Sequence, residues 1–585
     1  MKIRIDSFFY LLLAFVVIFS SSCKKEEQIK PGNNTDIPLP IVYWENGKDI
    51  IVDKDIIVDD FILYIDRGVN VRFMNGAKII VGKNTYGAII ALGTEDEPVN
   101  FIPMSDSTQP EEYWNGIYIK NNHPEIISTF EHCNFIKGCG DESEMILEVE
   151  YGHISVNYCL FDYSKKYGVY FGGSCYLESF TGNIIKHTND HPLVISPSLV
   201  HKIGKDNVFL TDIDNKGIYL NSESYKDGYI DNSSSDDDTI VWKAQTVPYI
   251  VSKDLQFKKG KVRICAGTII AMDYSYGNIF IDNNYFEAIG TVEKPIIFTS
   301  NKKVKKSGDW ESIVISSNAN FKNCIFEYGG HNIPSTINIG FIRLNSSSNA
   351  SFDSCTFRYS QRSAIIVGNT NNDYTYFNHF SNNTFSDLET FAITLSVGSI
   401  KSIGENNKFN NYRIYVRQGT ITNKYILWKN VGAEFYLDNF ISTTAWPNSK
   451  LVIEPGVVIC FNGGGLLIGG SANITSFICK GTAENPIVFT SYKENPSRGD
   501  WEGITFKKYS STESILEYCK ILYAGNISSY NFKSSIEISA NITIKNCTIA
   551  HSKHWGIYAP NPNTPVLENN IYFDNLDGDV LGGGK

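Results

Sequence analysis

The phrase GTAENPIVFTS (481–491) appears twice more, as GTVEKPIIFTS (290–300) and more loosely as GTEDEPVNFIP (93–103). It sits inside a longer repeat. LYIDRGVNVRF (63–73), VRICAGTIIAM (262–272) and LVIEPGVVICF (451–461) precede it; YWNGIYI (113–119), DWESIVI (309–315) and DWEGITF (500–506) follow it. Two cysteine phrases come next, EHCNF, KNCIF and EYCKI, then NYCLF, DSCTF and KNCTI. The spacing holds: Gly68, Gly267 and Gly456 are 199 and 189 apart, and Cys133, Cys324 and Cys519 are 191 and 195 apart. Three copies of one long unit restrict the chain to architectures built by repetition. Each unit is taken to open at a Trp (Trp44, Trp242, Trp428), which gives units at 42–241, 242–427 and 428–585.

Each unit is periodic again at finer scale. Asn183 and Asn207 are 24 apart, as are Asn383 and Asn407. Within these periods apolar residues alternate: Ile536, Ile538, Ile542, Ile544, Cys547 and Ile549 take every second place along three short runs. A period of two places side chains on alternate faces, so these are strands with one buried face. Gly, Asn and Asp break them too densely for helices to fit between. Composition agrees: 42% hydrophobic, with 35 Phe and 34 Tyr but 5 Met, suits strands and turns. Periods in the low twenties with this texture predict a parallel β-helix, each coil stacking on the last at the ordinary strand spacing. The recurring phrase then builds a coil. Gly-Thr turns the chain where a positive φ or a close backbone approach is needed. Pro295 and Pro486 fix φ at a strand's start, and Ile, Val and Phe face inward.

The run "apolar-x-apolar-x-x-Gly-Val", "Gly-Thr-x-x-x-Pro-Ile-x-Phe-Thr", "Trp-x-Gly-Ile-x-Phe" resembles the right-handed parallel β-helix proteins of the pectin-lyase-like superfamily, over residues 42–585. The resemblance implies an all-β, right-handed parallel β-helix (a solenoid) with three long internal repeats. It implies no single activity, because that superfamily holds lyases, hydrolases, adhesins and proteins without a known reaction.

Lys2 and Arg4 precede an apolar run from Phe8 to Phe19, then Ser20-Ser21-Ser22-Cys23. The run is too short to span a bilayer and has the make-up of a signal-peptide core. Small residues before a Cys resemble a lipoprotein cleavage site, which makes 1–22 a signal peptide and Cys23 the lipidated residue. Lys24-Lys25-Glu26-Glu27 resembles the signal that sends lipoproteins of the Bacteroidota to the outer face of the outer membrane. The polar, Pro/Gly-rich stretch up to residue 41 reads as a flexible tether. The expectation is a lipid-anchored, surface-exposed outer-membrane protein.

Candidate residues each have a structural and a chemical reading. The cysteines of the Cys-x-Phe/Ile phrases are read as buried free thiols, with disulfides as the alternative an exported location allows. The paired asparagines read as turn residues. The six landmark tryptophans read as core, which leaves Trp446 and Trp555 as candidates for sugar contact. Lys165 and Lys166 begin a basic position that recurs as Gln361-Arg362 and Lys553-His554; it reads as solvated turns, or as a cation row for acidic polysaccharide. Lys186, His187, Asp190 and His191 form the densest titratable patch and the best place for acid–base chemistry. Units two and three are read as lacking it. Asp236, Asp237 and Asp238 are the candidate for calcium, against an exposed excursion; no other cofactor is implied. No polygalacturonase-type set, nucleophile elbow, P-loop or HExxH occurs. Net charge is −11 without a long basic run, so no nucleic-acid partner is expected. The functional expectation is a surface lipoprotein binding glycans or neighbouring surface components. The alternative is a polysaccharide lyase or glycoside hydrolase acting on acidic polysaccharide.

Overall fold

The computed structural model describes residues 39–104, 112–120, 125–140, 143–211, 213–221, 229–230, 239–283, 285–331, 340–368, 375–420, 425–443, 449–470, 474–526, 533–560 and 562–582. Residues 1–22 and Cys23, Trp446 and Asp236, Asp237 and Asp238 lie outside them. Residues from Ile41 onward form one compact unit.

This unit is an all-β solenoid of short parallel strands in stacked sheets. In the first coils each strand pairs with the strand three places on; where a third strand runs straight into the next coil's first strand, as Leu147–Asn157 and Val169–Thr181 do, the interval is two. Ile41–Trp44 pairs with Ile62–Ile65, Asp49–Val52 with Asn70–Phe73, and Ile56–Val58 with Ile79–Val81. A coil therefore holds a first, a second and a third strand. Alternation puts one face inward: Leu63 and Ile65 are buried while Ile62 and Tyr64 are half-exposed.

Stacking coils in register piles like on like. Phe298, Phe326, Phe357, Phe385 and Phe409 form a continuous column with centroid spacings of 5.1, 5.1, 5.1 and 5.2 Å. Phe101, Phe135 and Phe161 form its counterpart in the first repeat, at 4.8 and 4.6 Å. These separations follow from the strand spacing, and near-parallel rings at that distance bury large apolar area.

The recurring phrase works as a corner. In each copy the Thr hydroxyl accepts the backbone N–H three residues on, Glu97, Lys294 or Asn485, at 3.0 Å. Its Gly is required by close approach: a Cβ on Gly93, Gly290 or Gly481 would lie 2.3–2.5 Å from the carbonyl oxygen of His132, Asn323 or Tyr518 in the next coil. Pro98, Pro295 and Pro486 stand directly before Val99–Pro103, Ile296–Ser300 and Ile487–Ser491.

Cysteine and asparagine share one inward row at the corner before the second strand. The first repeat runs Cys133, Cys159, Asn183, Asn207, and the second Cys324, Cys355, Asn383, Asn407. Asn183 Oδ1 accepts the N–H of Cys159 (2.9 Å) and its Nδ2 donates to Val156 O (2.9 Å). Asn383 does the same for Cys355 and Phe352 (3.0 and 3.1 Å). Where Cys stands instead, its Sγ–H reaches a carbonyl, as Cys159 does to Asn157 O at 3.2 Å. The residue before each is left-handed, including Asn382, Asn406 and Asn569. The paired asparagines thus divide two tasks: the first makes the turn and the second bridges coils. All eleven described cysteines are free thiols, Cys139 and Cys175 among them, both buried.

Five of the six landmark tryptophans are fully buried core residues, and Trp44 is partly buried against the same core. Trp114, Trp310 and Trp501 are fully buried, and each Nε1–H donates to a carbonyl, of Ile136, Glu327 and Leu522. Trp44, Trp242 and Trp428 close the first strand of their repeats; those strands, Ile41–Trp44, Thr239–Trp242 and Tyr425–Trp428, begin three residues ahead of them.

Repeats one and two replace the first strand of a late coil with a short 3-10 turn, Pro197–Lys202 and Val397–Ser402. Beyond it the sheets do not continue like onto like. The third strand Ile218–Leu220 of repeat one pairs with the second strand Tyr249–Val251 of repeat two. The third strand Ile414–Val416 of repeat two likewise pairs with the second strand Phe435–Leu437 of repeat three.

Candidate functional site

The corner between the second and third strands carries the most chemistry. In each repeat, residues four places after a ladder Cys or Asn leave the second strand in the left-handed region: Lys137, Tyr163 and His187; Tyr328, Tyr359 and Asp387; Tyr523, His551 and Asp574 (φ 50–64°). This conformation costs a residue with a Cβ about 1 kcal/mol. It turns the side chain outward, and coil stacking sets neighbours face to face. Tyr163 and His187 stack at 4.6 Å, Tyr328 and Tyr359 at 4.8 Å, and Tyr523 and His551 at 4.7 Å. Each repeat thus shows one stacked ring pair at an equivalent outer corner.

In repeats two and three a loop packs beside the rings, folded around a buried carboxylate. Asp309 accepts from Ser300 Oγ (2.8 Å), Lys302 Nζ (3.1 Å) and the N–H of Lys306 (3.0 Å). Asp500 holds Ser491, Lys493 and the N–H of Ser497 in the same way (2.6, 2.6 and 2.9 Å). Its hydrogen bonds and the Lys493 charge outweigh burial and hold the Asp500 carboxyl below the ordinary range. Gly308 and Gly499 turn the loop at φ +78° and +77°.

In the second repeat this leaves an open cleft of about 580 Å³ between loop and rings, lined by Lys305, Lys306, Gly308, Tyr328, His331, Tyr359, Gln361 and Glu389. Lys305 Nζ lies 5.7 Å from the Tyr328 ring centre and donates to Thr299 Oγ1 at 3.1 Å. The Arg358 guanidinium forks onto Glu327 (2.8 and 2.6 Å) and lies 5.7 Å from the Tyr359 ring. His331 Nδ1 is 2.8 Å from Gly308 O, which ties the cleft floor to the loop. Two lysines and a stacked tyrosine pair thus share one depression on an acidic chain.

The first repeat separates the titratable patch read from the sequence into two pairs. Lys186 Nζ and His187 Nδ1 both meet Asp162, at 3.2 and 2.7 Å. Asp190 turns instead to Lys216 Nζ (2.5 Å). His191 is buried, its Nδ1 3.2 Å from Gly217 N and O, and burial pushes its pKa down. The four groups do not converge on one point. Lys165 Nζ lies 4.8 Å from the Tyr113 ring, and Lys166 pairs with Glu144. Leu147–Asn157 is an eleven-residue strand, a third strand continuing into the next coil.

The third repeat has titratable pairs of its own, at other positions. His551 Nδ1 sits 2.6 Å from Asp574, which Arg498 also holds. These two hydrogen bonds hold the Asp574 carboxyl below its ordinary pKa. His554 Nδ1 is 2.8 Å from Asp577. Trp555 is half-buried, with its ring against Gly578. Asp162, Tyr163, Tyr328, Tyr359, Tyr523, His551 and Asp574 were missed because partners 23 to 31 residues apart meet only once coils stack. The available signal was position: each ring stands four places after a ladder Cys. Among the described residues no cluster of His, Cys, Asp and Glu is placed to hold a metal ion.

The chain is therefore an all-β solenoid of parallel strands with a ring-bearing corner repeated three times. No protein-family model, no curated protein and no solved structure matches it.

Proposed function

We propose that this chain is a right-handed parallel β-helix of the pectin-lyase-like kind, held at the bacterial outer surface by a lipid on Cys23, and that its ring-bearing corners bind acidic glycans. The observation that carries the reading is the second-repeat cleft. Tyr328 and Tyr359 present a flat aromatic surface of the sort that sugar rings lie against, and Lys305 and Lys306 stand beside it to meet a carboxylate or sulfate. Whole-chain charge of −11 would repel such a ligand elsewhere, so a local pair of cations gives the cleft selectivity. The leader and Cys23 support the surface location by sequence alone.

Glycan-array binding by the purified chain tests the reading. Binding to uronate or sulfated glycans, weakened on raising salt from 0.05 to about 0.5 M as the Debye length shrinks, is the expected result. Lys305→Ala with Lys306→Ala should cut affinity by roughly tenfold, the effect of losing about 1.4 kcal/mol of charge-assisted contact. Salt-independent binding restricted to neutral sugars would sink it.

The lyase reading has its own support in the first repeat, where Lys186 and His187 share Asp162 beside an exposed ring. Incubation with uronate polymers, followed by ultraviolet absorbance of the conjugated unsaturated product, decides it. Turnover abolished by His187→Ala would establish catalysis there.

A further inference from the structure

We infer that the three corners are separate binding sites on different margins of the solenoid, so that one molecule bridges several glycan stretches instead of threading one chain along a single groove. This rests on the reading of the corner as a glycan site and adds its valency and mode of attachment.

The argument comes from the change of sheet partners between repeats. In repeat one the corner leads into the third strands: Tyr163 precedes Val169–Thr181, and His187 precedes Leu193–Ile195. Those strands belong to one sheet that runs on through Ile218–Leu220 and Tyr249–Val251 into the second strands of repeat two. In repeat two the corner follows that same sheet: Tyr328 comes directly after Cys324–Glu327, and Tyr359 directly after Thr356–Arg358. All these strands are parallel. One ring pair therefore lies where strands enter the sheet, and the other where strands leave it. They occupy opposite margins.

The same step recurs. Tyr359 precedes Ile365–Val367, whose sheet continues through Ile393–Leu395 and Ile414–Val416 to the second strands of repeat three. His551 comes directly after Thr548–Ala550 on that sheet, again at the far margin. Along the stack the distance is also the same. Val169–Thr181 to Thr356–Arg358 takes seven strand-to-strand steps, as does Ile365–Val367 to Thr548–Ala550. At ordinary strand spacing that is about 34 Å between equivalent rings, and about 24 and 29 Å between the nearest rings of neighbouring corners, His187 to Tyr328 and Tyr359 to Tyr523. A short glycan cannot reach two corners across both such a length and a sheet's width. A long polymer meets them as separate attachment points, which raises avidity without new contacts.

The corners also differ in charge, so they should differ in affinity. Lys305 and Lys306 line the second, Arg498 is tied to Asp574 in the third, and Lys165 lies on Tyr113 in the first.

The test is calorimetry of the purified full chain with a uronic-acid hexasaccharide, and light scattering with the parent polymer. The expected result is more than one hexasaccharide bound per chain with unequal affinities, and polymer cross-linking that excess hexasaccharide reverses. Tyr328→Ala with Tyr359→Ala should remove one binding event and leave the others within roughly twofold, a change of about 0.4 kcal/mol or less. Lys305→Ala with Lys306→Ala, which leaves both rings in place, should weaken that same event. Circular dichroism and melting confirm that each variant is folded. One hexasaccharide per chain, or loss of all binding on altering one corner, overturns the inference and leaves the glycan reading standing. Absence of binding to either probe overturns both.

Discussion

At the residue scale, the inward corner row shows how one position accepts two chemistries. Asn183 and Asn383 each satisfy a backbone N–H and a backbone carbonyl of the preceding coil. Cysteine meets a carbonyl weakly, and at Cys547 its Sγ also accepts the N–H of Cys519 at 3.4 Å, within the same volume. Asn383→Leu should cost about 1–3 kcal/mol, the penalty of leaving buried backbone groups unmade. Asn383→Cys should cost distinctly less, and chemical denaturation of the two variants checks the order. Glu148 supplies a pH-dependent case. It stands between Tyr118 and Tyr170 on adjacent strands, and burial followed by the charge of Glu150 raises its pKa to about 7. A carboxyl with a raised folded-state pKa binds its proton more tightly folded than unfolded. Stability therefore falls as pH rises from the unfolded value, about 4.5, to about 7, and is level beyond it. Glu148→Gln should raise the melting temperature at pH 8 and leave it nearly unchanged at pH 4.

At the element scale, the phenylalanine column and the Asp309 loop make opposite demands. Phe357 stacks at 5.1 Å on both Phe326 and Phe385 and is fully buried. Phe357→Ala should cost roughly 3–5 kcal/mol, the price of a core cavity with few ways to collapse. The loop of residues 300–309 folds around one carboxylate. Asp309→Ala should expose it to trypsin at Lys302 to Lys306 while the far-ultraviolet spectrum stays that of the parent chain. Equal protease resistance would show that the carboxylate is not what orders it.

At the scale of the whole molecule, each coil touches chiefly its neighbours, so stability is a sum of local interfaces. Phe357→Ala should then accelerate hydrogen exchange in the coils around residues 321–385 and leave repeat three almost unaffected. Uniform acceleration along the chain would mean a single cooperative unit. The change of sheet partners at each junction also explains why sequence-equivalent corners do not line up. Repetition in sequence supplies like sites, and the offset stacking distributes them.

The short alternating runs, the phrase that ends in Pro-Ile-x-Phe, and the Cys and Asn rows determined an all-β stack of parallel strands, because alternation and turn chemistry are local properties. The core role of Trp114, Trp310 and Trp501 was legible for the same reason. The corner was legible only in fragments: Lys165, Lys186 and His187 stand in it, but their partners Tyr113 and Asp162 do not announce themselves. Asp162 meets His187, and Tyr328 meets Tyr359, across 25 and 31 residues of chain. Such contacts depend on how many residues each coil spends on its loops, and that number varies from coil to coil. At each junction a 3-10 turn stands where a first strand would, and the sheet partners change beyond it. Only the tertiary structure decided that third strands of one repeat continue as second strands of the next, and with it the margin on which each ring pair stands.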